Sequence, residues 1–102
     1  MVVADPWWSS WDGSVAPYAI LLRLFVDGRM TAEEFEIVFL SLYKNDPTDW
    51  PGDMFDVLDR LFGDVDDFVA DDQLRDQTGG IDAEELRRRT SAAFDQLQKM
   101  AG

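Results

Sequence analysis

The sequence predicts an all-α fold, a small up-and-down four-helix bundle in a single domain over residues 1–102. Three observations predict it. Apolar residues recur at steps of three and four in four separate stretches. Two of those stretches open on a capping box flanked by a hydrophobic staple. No run alternates with the two-residue period of a strand. With 46% hydrophobic residues in a chain of 102, there is apolar material for one core and too little for two.

The first helix is expected from about Ser14 to Asp27. Val15, Tyr18, Ala19, Leu22, Phe25 and Val26 form its apolar face, Pro17 sits in the first turn, and Gly28 suits a left-handed stop. The second starts at Thr31, because Thr31 and Glu34 make a T-x-x-E box while Met30 and Phe35 make the staple. Its face continues through Val38, Phe39 and Leu42. It ends near Asn45, since Pro47 pushes Asp46 out of helical geometry.

The third helix begins between Trp50 and Asp53, buries Met54, Phe55, Leu58, Leu61 and Phe62, and is expected to end at Gly63. A longer loop of about residues 64–80 follows. The last helix repeats the start signal with Asp82 and Glu85 as the box and Ile81 and Leu86 as the staple, and its core face is Ala83, Leu86, Ala93, Leu97 and Met100. Ahead of the bundle, residues 1–13 form an aromatic extension with Trp7, Trp8 and Trp11.

Nine basic residues against 21 acidic ones leave a net charge of −12, which disfavours nucleic acid and anionic membrane and favours a positively charged protein partner. With no cysteine and no histidine, disulfides, thiolate nucleophiles, the usual structural zinc sites and the commonest general base are all missing, so the chain is not expected to be an enzyme. The start "MVVADPWWSSWDGS" lacks the pattern of a secretory leader, and no stretch approaches the roughly 18 apolar residues of a membrane span, so a cytoplasmic location is the expectation.

The charge is concentrated. Residues 46–76 carry eleven aspartates against Arg60 and Arg75, a net −9, whereas the region from residue 77 onward is neutral. The run Arg87–Arg89 reads as a solvated face neutralised by i,i+4 pairs of Glu84 with Arg88 and Glu85 with Arg89. The acids from Asp64 onward have a superficial likeness to a calcium loop. Counted from Asp64, however, Phe68 stands at position 5, Val69 where glycine is needed, and Arg75 where the bidentate glutamate belongs. No metal and no cofactor is expected.

Solubility explains Asp49 and Asp53, which favour the positive end of the third helix. It does not explain Asp56 and Asp59, which carry the same stripe toward the negative end and repel one another. Aspartate is also a poorer helix former than glutamate. Short carboxylates held in a row suit recognition of Lys and Arg on a partner. Trp50, Tyr43 and Phe68 flank the acids and are available as aromatic anchors, with ordinary core packing the competing role for Phe68.

"MTAEEFEIVFLSLYKND" (Met30 to Asp46) followed by "MFDVLDRLFGDVDDFVADDQLRD" (Met54 to Asp76) and a final "ELRRR" resembles the colicin D type immunity proteins of the bacterial self-protective colicin-like immunity family, over about residues 18–100. The resemblance implies a helical protein without catalysis that binds the nuclease domain of a cognate toxin and covers its active site. Toxins of that type cleave tRNA in a basic groove, and the immunity protein presents carboxylates where RNA phosphates would lie. Asp59, Asp64 and Asp66 carry over as the inhibitory surface. Asp56, Asp67, Asp71, Asp72 and Trp50 join them from the charge and aromatic arguments alone. The tryptophan-rich start lies outside the resemblance. The alternative is an acidic helical adaptor or nucleic-acid mimic that binds another basic protein; a metal-responsive helical domain is a further class.

Overall fold

A computed structural model describes residues 16–46, 50 and 52–101 and places five helices among them: α1 (Ala16–Val26), α2 (Ala32–Lys44), α3 (Gly52–Asp67), α4 (Asp72–Thr78) and α5 (Ala83–Ala101). Ser14, Val15, Asp49 and the three N-terminal tryptophans lie outside the described residues, as does the side chain of Met100. The four longer helices form a ring: α1 packs on α2 and α5, and α3 packs on the same two. Among the described residues no helix is long and apolar enough to cross a membrane.

The ends of α1 and α2 follow local chemistry. Gly28, at φ 77°, takes the left-handed position after α1, its N–H donates to the Phe25 carbonyl, and the Arg29 N–H reaches back to Leu24 at 2.9 Å. The capping box of α2 is complete: Glu34 N–H donates to Thr31 Oγ1 at 3.1 Å, and Thr31 N–H donates to Glu34 Oε1 at 2.9 Å. The Glu34 carboxyl is held below its usual range first by that backbone hydrogen bond from Thr31, then by the side-chain one. At the far end the Asn45 side-chain amide donates to the Ser41 carbonyl.

The core joins Tyr18, Leu22 and Phe25 of α1, Phe35 and Phe39 of α2, Leu58, Leu61 and Val65 of α3, and Leu86 and Leu97 of α5, all buried. Phe25 and Phe35 stack at 4.4 Å between ring centroids, and Phe39 continues the aromatic column toward Tyr18 and Tyr43. Leu21, Val57, Val65, Thr90 and Phe94 are buried beyond the residues expected from sequence. Thr90 satisfies its hydroxyl by donating to the Leu86 carbonyl at 2.7 Å. Val38 and Phe55, expected on core faces, are each 45% exposed. Each sits one step off the stripe that Phe35 and Phe39, or Leu58 and Leu61, commit to the interior.

Two boundaries differ from expectation, and they change the helix count from four to five. Gly63 does not end α3, which continues to Asp67. A helical glycine costs only about 1 kcal/mol relative to alanine, and Val65 extends the buried stripe past it. Second, the expected loop at 64–80 holds α4. Asp71 caps it by accepting from Leu74 N–H at 2.9 Å, and Gly79 closes it at φ 73°. None of its residues is buried, so it carries no apolar period that sequence could reveal.

The return from α4 is tight. Phe68 and Ile81 make an isolated parallel bridge, in which Ile81 N–H donates to Asp67 O and Val69 N–H donates to Ile81 O. A Cβ on Gly80 would lie 2.6 Å from Val69 Cγ2 and 2.7 Å from Asp67 O, so this approach requires glycine. Beyond it, Asp82 Oδ1 accepts from Glu85 N–H at 2.8 Å to start α5, but the reciprocal half of the expected box does not form, because Arg88 and Arg89 take the Glu85 carboxylate.

The arginine run is not merely a solvated, self-neutralised face. Arg88 pairs with Glu85 rather than Glu84. Arg89 holds Glu85 at 3.3 Å and also crosses to Asp64 on α3 at 2.8 Å. Arg87 lies over the Phe25 ring, 4.7 Å from its centroid, and donates to the Phe25 carbonyl at the negative end of α1. The run therefore fastens α5 to α1 and α3.

Candidate functional site

At 3.6 residues per turn, successive α3 side chains advance about 100° around the axis. Val57, Leu58, Leu61 and Val65 take the inward half. The opposite crest falls to Asp56, Asp59, Gly63, Asp66 and Asp67, all exposed. Among the described residues no hydrogen bond or ion pair reaches the carboxylates of Asp56, Asp59, Asp66 or Asp67. The continuation of α3 beyond Gly63 is what puts Asp66 and Asp67 in line with Asp56 and Asp59.

The α2 flank of this crest adds more acid. Glu36 is half-buried beside α3, and its carboxyl is pushed above the usual range by burial, then by the charges of Asp66 and Glu33. The Tyr43 phenol is likewise pushed up by burial, then by Asp59 and Asp46. Burial is the larger cause of each, and the charges of Asp66, Glu33, Asp59 and Asp46 add to it along the α2–α3 seam. Apolar surface lies beside this seam on α3, where Phe55 is 45% exposed and the half-buried Phe62 ring lies 5.2 Å from that of Tyr43, whereas Ile37, 68% exposed, stands on the side of α2 opposite its buried face. Glu33, Glu36, Ile37 and Phe55 were not among the site residues expected from sequence. The exposure of Ile37 and Phe55 depends on which neighbours claim the core, so a helical pattern alone did not flag them.

The remaining expected residues are placed differently. Asp64 turns toward α5, where its Oδ1 accepts from Arg89 Nη1; its side chain is 17% exposed. The Arg89 guanidinium is pushed above its usual value chiefly by that hydrogen bond. The pair edges an open groove of about 340 Å³ between α3 and α5, also lined by Val57, Arg60, Leu61 and Ala93. Asp71 caps α4, and Asp72 pairs with Arg75, whose Nη1 donates to the Val69 carbonyl at 2.9 Å. These two acids lie on the α4 turn and not on the α3 crest.

Trp50 packs against the core, its ring 5.9 Å from that of Tyr18. Its Nε1–H donates to Asp46 Oδ2 at 3.1 Å, and the same oxygen accepts from Tyr18 OH at 2.7 Å. That junction ties Trp50 to Tyr18 of α1 and to Asp46, two residues past the end of α2. Phe68 is buried in the core. Among the described residues no group of three or more Asp, Glu, His or Cys is arranged to hold a metal ion.

Residues 14–97 match the family model for bacterial self-protective colicin-like immunity. No curated protein and no solved structure matches the chain.

Proposed function

The chain belongs to the bacterial self-protective colicin-like immunity family, and from that premise we propose that it neutralises a cognate toxin nuclease, of the colicin D kind that cleaves tRNA, by covering a basic active-site groove with the acidic face of α3. It acts by occupancy and performs no catalysis, binds no nucleic acid or membrane directly, and works as a monomer in the cytoplasm. The observation that supports this reading is the row of exposed carboxylates with no hydrogen-bond or ion-pair partner among the described residues, Asp56, Asp59, Asp66 and Asp67, on one helix. Solubility would not concentrate aspartate where like charges repel and helix propensity is poor. A basic groove reverses the sign of that repulsion. Asp64, Asp71, Asp72 and Trp50 stand off this row, each held by the contacts described above.

The test begins at the neighbouring genes, where the immunity reading expects a large toxin with a basic C-terminal domain, and that domain is the binding probe. Co-expression should rescue growth, and the purified pair should bind with an association rate that falls as salt rises. An Asp56→Asn/Asp59→Asn/Asp66→Asn variant should keep its fold and inhibit the nuclease poorly. Undiminished inhibition by that variant, with unchanged salt dependence, would remove the acidic face from the mechanism. A neighbouring toxin whose activity the wild type does not inhibit would remove the immunity reading itself.

A further inference from the structure

The glycines of this fold divide sharply by what they do for it. Gly28 and Gly79 hold positive φ angles, and Gly80 is forced by the close approach of Val69 and Asp67. Gly52 shares the open surroundings but stands at the first position of α3, while Gly63 has none of these reasons. It lies in the interior of α3 without a positive φ, and a Cβ built on it meets nothing within 4 Å among the described residues. Glycine at such a position weakens a helix relative to alanine, so the isolated fold gains nothing from it.

The position is informative. Gly63 sits at the centre of the outward crest, four residues after Asp59, three before Asp66 and four before Asp67. Asp59 and Asp66 are seven residues apart, about 10 Å along the axis, with the bare backbone of Gly63 between them. The one place on the crest without a side chain is thus a shallow notch walled by carboxylates on both sides.

Resting on the immunity reading above, we infer that Gly63 is a close-approach point at which an arginine side chain of the toxin lies flat across α3, its guanidinium shared between Asp59 and the Asp66–Asp67 pair. A planar guanidinium needs clearance over its face and carboxylates at its edges, and the notch supplies both. A lysine ammonium, a compact point charge, gains less from the flat clearance.

The test uses the full chain and the toxin domain encoded beside its gene, with Gly63→Ala, Gly63→Leu and Asp59→Asn compared by thermal unfolding and by binding. Gly63→Ala should raise the melting temperature and yet weaken binding by about tenfold, with Gly63→Leu weakening it further. Opposite signs for stability and affinity are the signature of a residue kept for the partner. If Gly63→Ala lowers the melting temperature, the fold needs the glycine and the inference fails. If wild type binds and Asp59→Asn binds less well, but both Gly63 variants bind as wild type, the close approach is wrong while the acidic face stands. If wild type does not bind the toxin domain, both readings fall together.

Discussion

Neutralising Asp64 should behave unlike neutralising its neighbours on α3. Its carboxylate is 17% exposed and accepts from Arg89 at 2.8 Å, while the Arg89 side chain is 39% exposed. Fully exposed pairs contribute about 0.2–1 kcal/mol, and hydrogen bonds to charged groups about 1.5–3 kcal/mol. At this intermediate burial, with solvent screening one partner, Asp64→Asn should cost about 1 kcal/mol. It should not cost much more, because Arg89 keeps Glu85 at 3.3 Å and is not stranded. In a domain of this size that loss lowers Tm by about 4–8 °C. Asp59→Asn, which breaks no hydrogen bond or ion pair among the described residues and relieves repulsion in a chain of net charge −12, should leave Tm unchanged or raise it. Thermal unfolding of Asp64→Asn, Arg89→Gln and the double variant completes a cycle whose coupling should be at least about 0.5 kcal/mol. An Asp64→Asn variant that melts with or above wild type would refute a structural role for the pair.

Phe39 is fully buried among Tyr18, Phe35 and Tyr43, so Phe39→Ala should destabilise by about 3–5 kcal/mol in denaturant titration. Thr31→Ala removes the acceptor for Glu34 N–H and should cost about 1 kcal/mol. Glu36 holds its proton more tightly folded than unfolded, so its contribution is fully present below the unfolded glutamate pKa and is lost as pH rises through the raised folded value. Glu36→Gln should therefore raise Tm at neutral pH, and the gain should vanish below about pH 4, where glutamate is protonated in either state.

Much of the fold was legible because its signals are local. The capping box at Thr31, the glycine stop at Gly28 and the Asp82 start of α5 are each set by groups within a few residues, and all three form. What sequence could not resolve depends on competition between distant groups. Whether Gly63 ends a helix is decided by whether Val65 finds a core to enter, and it does. Whether Phe55 or Val57 faces inward is decided by the placement of α3 between α2 and α5. The same limit applies to the candidate site: the concentration of acid between residues 46 and 76 was plain, but its division was not. Asp64 turns inward to Arg89 and Asp71 caps a helix that has no apolar face to betray it.

That division bears on how the acidic face would work. Had α3 stopped at Gly63, Asp66 and Asp67 would lie on a loop, and each contact with a partner would require ordering them at the cost of conformational entropy. The helix instead continues to Asp67, and the Ile81 N–H bonded to the Asp67 carbonyl ties its last turn to the start of α5. The carboxylates are thereby spaced before any partner arrives. Their spacing comes with disfavoured helix residues, repulsion at i,i+3 along α3, and Glu36 pressed against Asp66 across the seam. Each of those terms opposes folding in the isolated chain and changes sign against a basic surface. A single fold tolerates the opposition because its core, fixed by the Phe25–Phe35–Phe39 column, lies on the other side of α2 and α3 from the acids. On the proposed mechanism, stability and recognition are carried by opposite faces of the same two helices, so neutralising the outward face should strengthen the fold as it weakens binding.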